Sequence, residues 1–135
     1  HDYQLSPDDM KRLATTDLFV INGAGMESFL DQVRQRLPGL KVVDTSEGLP
    51  LLPNLPHDHD HEEEEHNHHD GHDHHLEEFN GHVWTSPARY RQQVERLRNA
   101  LIQADPLHAE QYRQNADRYL SQIDAMAARL RAAAA

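Results

Sequence analysis

Twelve histidines and no cysteine define the chemistry open to this chain of 135 residues. Nine of the histidines stand in one stretch, residues 57–78, HDHDHEEEEHNHHDGHDHHLEE, together with ten Asp and Glu and no Lys or Arg. Imidazole is the commonest protein ligand for zinc, and near neutral pH its lone pair is largely unprotonated. The interleaved carboxylates add oxygen ligands and a negative field that gathers divalent cations. His57, His59 and His61 alternate with acids, so an extended chain sets their imidazoles on one side, about 7 Å apart between backbones. His66, His68, His69, His72, His74 and His75 continue the series. Nothing in the spacing builds a tetrahedron, and ordering such a loop around a metal costs entropy. The expectation is therefore a set of weak, exchangeable sites on a disordered loop, whose one apolar residue, Leu76, cannot support a core. Zinc, nickel and copper accept imidazole, whereas manganese and magnesium prefer oxygen. The tract is internal, long and mixed with acids, unlike an affinity tag.

The same tract carries the electrostatics. The chain has 23 acidic and 13 basic residues, a formal charge of −10. Without the tract's ten acids, thirteen remain against thirteen bases. The acidic balance argues against nucleic acid as a partner. Without cysteine there is neither a disulfide nor a thiolate metal site, which fits a periplasmic or surface protein as well as a cytosolic one. No apolar run approaches the length of a membrane span. The opening HDYQLSP, without Met, and the run Ala132 to Ala135 suggest a processed product or a fragment.

The flanks must supply whatever positions these ligands. Ser6-Pro7-Asp8-Asp9 reads as a helix start, with Ser6 as N-cap and Pro7 at the first position, and predicts a helix over 7–15. Leu18 to Ile21 is a continuous apolar run that predicts a fully buried strand. Met26, Phe29, Leu30, Val33 and Leu37 recur at helical spacing until Pro38-Gly39, and Leu40 to Val43 forms a second short strand. Strand, helix, strand predicts a βαβ unit with parallel pairing. Gly23-x-Gly25 stands where a phosphate loop would lie but lacks a third glycine and a Walker lysine, so close backbone packing is the better reading. Residues 45–56, with four leucines and three prolines, read as an extended connector. Ser86-Pro87 and Asp105-Pro106 start two more helices. Tyr90, Val94, Leu97 and Leu101 mark the first over 87–103. The second has about 25 residues and a length of about 37 Å, more than one small domain needs.

Three histidines lie outside the tract: His1, His82 and His108. His108 falls among polar residues in the first turn of the last helix and reads as a surface residue. His82 lies in a turn between Gly81 and Val83 just before a helix, a position that carries function more often than a core position does. Alone, it divides between metal ligand and hydrogen-bonded structural residue. Catalysis finds little support, because Cys is absent and neither G-x-S-x-G nor H-E-x-x-H occurs.

HDYQLSPDDMKRLATTDLFVINGAGMESFLDQV, the histidine tract, and FNGHVWTSP before two helices together resemble the metal-binding receptors of bacterial ABC importers. These are the cluster A-I (cluster 9) substrate-binding proteins, and the nearest subgroup is the high-affinity zinc-uptake, ZnuA type. The resemblance covers the whole chain, including Asp105-Pro106 and Asn115-Ala116-Asp117. It implies one Rossmann-like, parallel-sheet α/β lobe of a two-lobed protein, over residues 1–105 with the loop 57–78 inserted. A long interlobe helix would follow over 106–135, and the second lobe would lie outside this chain. It also implies that His1, from a P-H-x-Y-x-x-S-P-type motif, and His82, from a D-P-H-x-W-x-x-P-type motif, are the primary cleft ligands. Here the second motif reads Asn80-Gly81-His82, not Asp-Pro-His.

The function implied is capture of Zn2+ as transported ligand, without catalysis, by a periplasmic or extracytoplasmic lipid-anchored receptor. The implied partners are a membrane permease of an ABC importer and a periplasmic metallochaperone, with the receptor itself a monomer. A manganese-type receptor of the same family is one alternative. A metal-storing or adhesive surface protein that uses the lobe as scaffold is another, and a metalloenzyme ranks last because no general base is apparent.

Overall fold

Ser6 begins the first helix with its own polar groups. Its Oγ accepts the Asp9 N–H at 3.2 Å, and the Asp9 carboxylate accepts the Ser6 N–H at 2.9 Å, a reciprocal capping box. With Pro7 next and two acids in the first turn, α1 runs over Pro7–Ala14. The computed structural model describes residues 4–51 and 81–134.

Two short strands follow, β1 over Phe19–Ile21 and β2 over Val42–Asp44. They pair in parallel, with Phe19 opposite Val42 and Ile21 opposite Asp44. Between them lies α2, Leu30–Arg36, so the expected βαβ unit is present. Two details depart from the sequence reading. Val20 is 40% exposed, so β1 is not buried on both faces; its β-branched run reports strand propensity more than burial. Met26 and Phe29 keep helical spacing but precede the helix. A left-handed loop at residues 23–25 and the single turns Met26 N–H to Gly23 O and Leu30 N–H to Glu27 O occupy that part of the chain. Phe29 instead sets its ring 6.5 Å from that of Phe19.

Part of the connector also belongs to the core. Thr45 continues the ladder by donating its N–H to Ile21 O at 3.1 Å, and Thr45, Ser46 and Leu49 are all buried. The remainder, from residue 52, lies outside the described residues.

The second half is helical. A 3-10 turn at Val83–Thr85 leads into α3, Pro87–Ala104, and another at Pro106–His108 leads into α4, Ala109–Ala133. Residues expected to open the last helix thus form a tighter turn before it. The length expectation holds, with 25 residues in α4. The pair is tied by Tyr90 and Tyr119, whose hydroxyls lie 2.8 Å apart, and by Arg91 to Asp124 at 3.2 Å. Arg91 also pairs with Glu95 on its own helix. Ala116, Leu120 and Ile123 form the buried stripe of α4. They join Ile21, Val33, Leu49 and Val83 in the core. Val33 and Val83 are wholly buried, each stabilising the fold by about 1.5–3 kcal/mol relative to exposure. The whole is a parallel-sheet α/β unit followed by a long helix, the fold class expected.

Candidate metal site

Open α/β sheets bind ligands beyond the carboxyl ends of their strands. Here β1 ends in a run of three left-handed residues, Gly23 at φ 77°, Ala24 at 54° and Gly25 at 75°. Consecutive N–H groups in such a loop converge on an acceptor. The acceptors belong to this chain. The Glu27 carboxylate takes the Asn22 N–H at 2.9 Å and the Gly23 N–H at 3.1 Å, and Ser46 Oγ takes the Ala24 N–H at 2.8 Å. Ser46 in turn donates Oγ–H and N–H to Asp44 Oδ1, at 2.7 and 2.8 Å. A Cβ on Gly23 would lie 1.8 Å from that same Asp44 oxygen, so only glycine permits the approach of the two strand ends. Close packing accounts for Gly23, whereas Gly25, where a Cβ would meet nothing within 4 Å, answers to its left-handed φ.

The helical half reaches the same edge through Gln93. This side chain is 3% exposed, and its Nε2 donates to Asn22 Oδ1 at 3.1 Å and to Thr45 Oγ1 at 3.0 Å. Thr45 Oγ–H goes on to Ile21 O at 3.0 Å. Gln93 Oε1 has no hydrogen-bond partner among the described residues. One amide on α3 thereby grips the ends of both strands.

His82 stands beside this edge. Gly81 is buried against Met26 and the Ala24 carbonyl, at the left-handed loop. Val83, on the other side, is wholly buried. The His82 carbonyl accepts the Thr85 hydroxyl at 2.7 Å and the Thr85 N–H at 3.2 Å. The backbone is thus pinned while the imidazole is exposed, 5.1 Å from the Trp84 ring at a 52° tilt. A fixed backbone and an exposed ring are features that suit a metal-ligating histidine.

The structure places one of the candidate ligands. His1 lies outside the described residues, as do His57, His59, His61, His66, His68, His69, His72, His74 and His75. Among the described residues no group of three or more His, Cys, Asp or Glu could hold a metal ion. Of the expected ligands, His82 alone falls among the described residues, and no second candidate ligand stands with it there. His108 is a surface residue as expected, its Nδ1 2.7 Å from Asp105 Oδ2. The same oxygen accepts the Tyr112 hydroxyl at 2.9 Å. The Tyr112 and His108 bonds, in that order, hold the Asp105 carboxyl below the ordinary carboxylate range. In return, Asp105 pushes the Tyr112 phenol up.

Sequence reading passed over Glu27, Ser46, Gln93 and Met26 as site-building residues. Gln93 left a signal, since it shares the face of Tyr90, Val94 and Leu97, where a polar residue calls for a buried partner. Glu27 left a weaker one, an acid just after a glycine turn. A groove of about 560 Å³ lined by Pro87, Ile123, Ala127 and Leu130 lies along the helical pair and includes no histidine in its lining. Among the described residues no helix is long and apolar enough to cross a membrane.

With this geometry in view, known proteins give a consistent answer. The family model of ZnuA, zinc-uptake complex component A, periplasmic, matches residues 1–135. The zinc-binding protein AdcA of Streptococcus pyogenes serotype M3 is 35% identical over 130 residues, 91% of this chain and 25% of that protein. The iron-binding protein YfeA of Yersinia pestis is 29% identical over 131 residues, 97% of this chain and 37% of that protein. A crystal structure of ZnuA superimposes with a TM-score of 0.74 at 22% identity, over 92% of this chain and 43% of that one. Proteins of this class are solute-binding receptors, not enzymes. Within that class, the chain belongs to the ZnuA family. It spans about a quarter to two fifths of the length of these relatives.

Proposed function

We propose that this chain is the first lobe of an extracytoplasmic receptor that captures zinc and delivers it to the membrane permease of an ABC importer. The observation that carries the reading is the placement of His82, an exposed imidazole on a pinned backbone at the carboxyl edge of the parallel strands. Neutral imidazoles of His82 and His1 supply two of about four zinc ligands, and a second lobe beyond this chain completes the shell. Residues 1–105 form the lobe and 106–135 the helix that links it to the next. The histidines of residues 57–78 collect zinc through weak sites and raise its local concentration. The receptor works as a monomer, in the periplasm or tethered by a lipid, and receives zinc free or from a periplasmic metallochaperone.

Relatives named for zinc and for iron support metal binding more firmly than they support one metal. Zinc is preferred here on the chemistry of the chain, which offers imidazole at the edge and, shortly before it in sequence, a histidine tract. A manganese site would need more oxygen ligands. The decisive experiment is uptake by the full-length receptor. Zinc uptake that survives deletion of residues 57–78 but fails in His82→Ala supports a receptor. Uptake that fails only with the deletion makes the protein a store or an adhesive surface protein built on this scaffold. In this chain by itself, calorimetry should show most zinc bound by residues 57–78, and strong binding that persisted without them would contradict the division of roles.

A further inference from the structure

Gly81 is a glycine for reasons of space. Its φ is not among the left-handed values found at Gly23, Gly25 and Gly48, so conformation does not require it. A Cβ at this position would instead lie 2.5 Å from Met26 Sδ, 2.8 Å from Met26 Cγ and 3.3 Å from the Ala24 carbonyl oxygen. The first two distances are closer than any packed carbon tolerates, so Met26 fills the space a side chain at 81 would take. The Met26 backbone is held in turn, because its N–H closes a turn on Gly23 O at 3.1 Å, and that loop is fastened by Glu27 and Ser46. On the far side of Gly81, Val83 returns its N–H to Gly81 O at 2.9 Å, so the chain bends around His82 within three residues. The position of the imidazole therefore follows from how deeply Gly81 sits on Met26.

We propose that Met26 is a positioning residue for the metal ligand: with Gly81 it forms a space-complementary pair that sets where His82 presents its ring. Two features support it together, the reciprocal fit of side chain and vacant Cβ, and the continuity from the fastened loop through Gly81 to His82. Thioether chains fill irregular gaps well, which suits a seat whose partner is bare backbone. The inference rests on the reading of His82 as a zinc ligand.

The test is a double-substitution cycle in the full-length receptor, with zinc affinity measured by competition against a chelator strong enough to strip the loop sites. Gly81→Ala should weaken zinc binding about three- to tenfold, and Met26→Ala about two- to threefold. The pair together should bind within about twofold of the parent, because the new Cβ occupies the space the thioether left. Co2+ bound in place of zinc should show altered visible bands in each single variant and parental bands in the double, a ligand-geometry signature that loss of stability alone would not produce. A double variant no better than Gly81→Ala overturns the pairing, as does a Gly81→Ala protein with parental affinity and spectrum. Should Gly81→Ala not fold, Met26→Ala and the double variant still decide: equal or weaker affinity in the double than in Met26→Ala overturns it. His82→Gln separates the two levels. If that substitution leaves affinity unchanged, the zinc-ligand reading falls and this inference with it; if it abolishes tight binding while the cycle shows no coupling, this inference alone falls.

Discussion

Two turns in this molecule share the same parts and do different work. Each places a histidine at a 3-10 turn that leads into a long helix, His82 before Val83–Thr85 and α3, His108 at the end of Pro106–His108 and α4. Both imidazoles are exposed. At the second turn the ring is engaged by its own neighbour, since His108 and Tyr112 converge on one oxygen of Asp105 and the three form a local brace. At the first, local bonds from Thr85 to the His82 carbonyl are joined by contacts from far along the chain: Gly81 rests on residues 24 and 26, and the loop beneath is held by Ser46 and Glu27. A histidine braced by its neighbours serves the helix start. The backbone before His82 is instead seated on a loop from another part of the chain, which Ser46 fastens in turn.

That contrast can be broken most directly at the two rings. In the full-length receptor, His82→Ala should reduce zinc affinity by about a hundredfold or more, on the scale at which even outer-shell partners cost ten- to a hundredfold. His108→Ala should change it less than about twofold, and chelator competition on both variants measures the difference. Comparable losses would erase the distinction between the turns.

The next largest effect concerns the support beneath His82. Glu27→Ala leaves two part-buried N–H groups without their acceptor, which should cost about 2–3 kcal/mol, read as a lowered denaturant midpoint. Zinc affinity should fall with it, because the loop that seats Gly81 loosens. A stable protein with parental affinity would show that Glu27 does not support the site.

Gln93→Leu tests the same edge from the helical side. It removes the donor to Asn22 and Thr45 and should cost about 1–3 kcal/mol. The cost should be partly offset, because Oε1, which has no hydrogen-bond partner among the described residues, disappears as well. Chemical denaturation gives the number.

The smallest effect lies at the His108 turn. Asp105 is held below the usual carboxylate range, chiefly by Tyr112 and then by His108. A carboxyl depressed in the folded state contributes stability above its unfolded pKa, about 3.9, and loses it as pH falls through the lower folded value. Tyr112→Phe removes the larger cause, so the Asp105 titration followed by NMR should move up towards the ordinary carboxylate value. Zinc binding should stay as it was. An unmoved titration would mean that Tyr112 does not hold the carboxylate.

Elements with local causes were legible in the sequence. Ser6-Pro7 announced its helix through capping and the fixed φ of proline, which act within a few residues; at Ser86-Pro87 proline alone carries the signal, because the Ser86 side chain makes no cap bond. The βαβ order and the long last helix followed from apolar spacing. His82 stood out because a histidine between glycine and a helix start is locally unusual. Met26 and Phe29 misled because periodicity records which side chains turn inward, and a chain of single turns can do this as well as a helix. Ser46 and Gln93 were hard to read as site-builders because their partners lie 22 and 71 residues away, whereas Glu27 binds Asn22 and Gly23 nearby through a loop conformation that no periodic pattern announces.

The amino-acid sequence by itself determined the chemistry on offer, nitrogen and oxygen ligands without sulfur, and the family to which the chain belongs. It also determined where charge collects, since composition needs no fold to act. Only the tertiary structure decided which histidine stands on a built edge. Apposing Asp44 to Gly23, Gln93 to both strand ends and Gly81 to Met26 requires the strands and α3 to be packed first. Such contacts are set by space and hydrogen-bond geometry between distant segments, and no local rule encodes them.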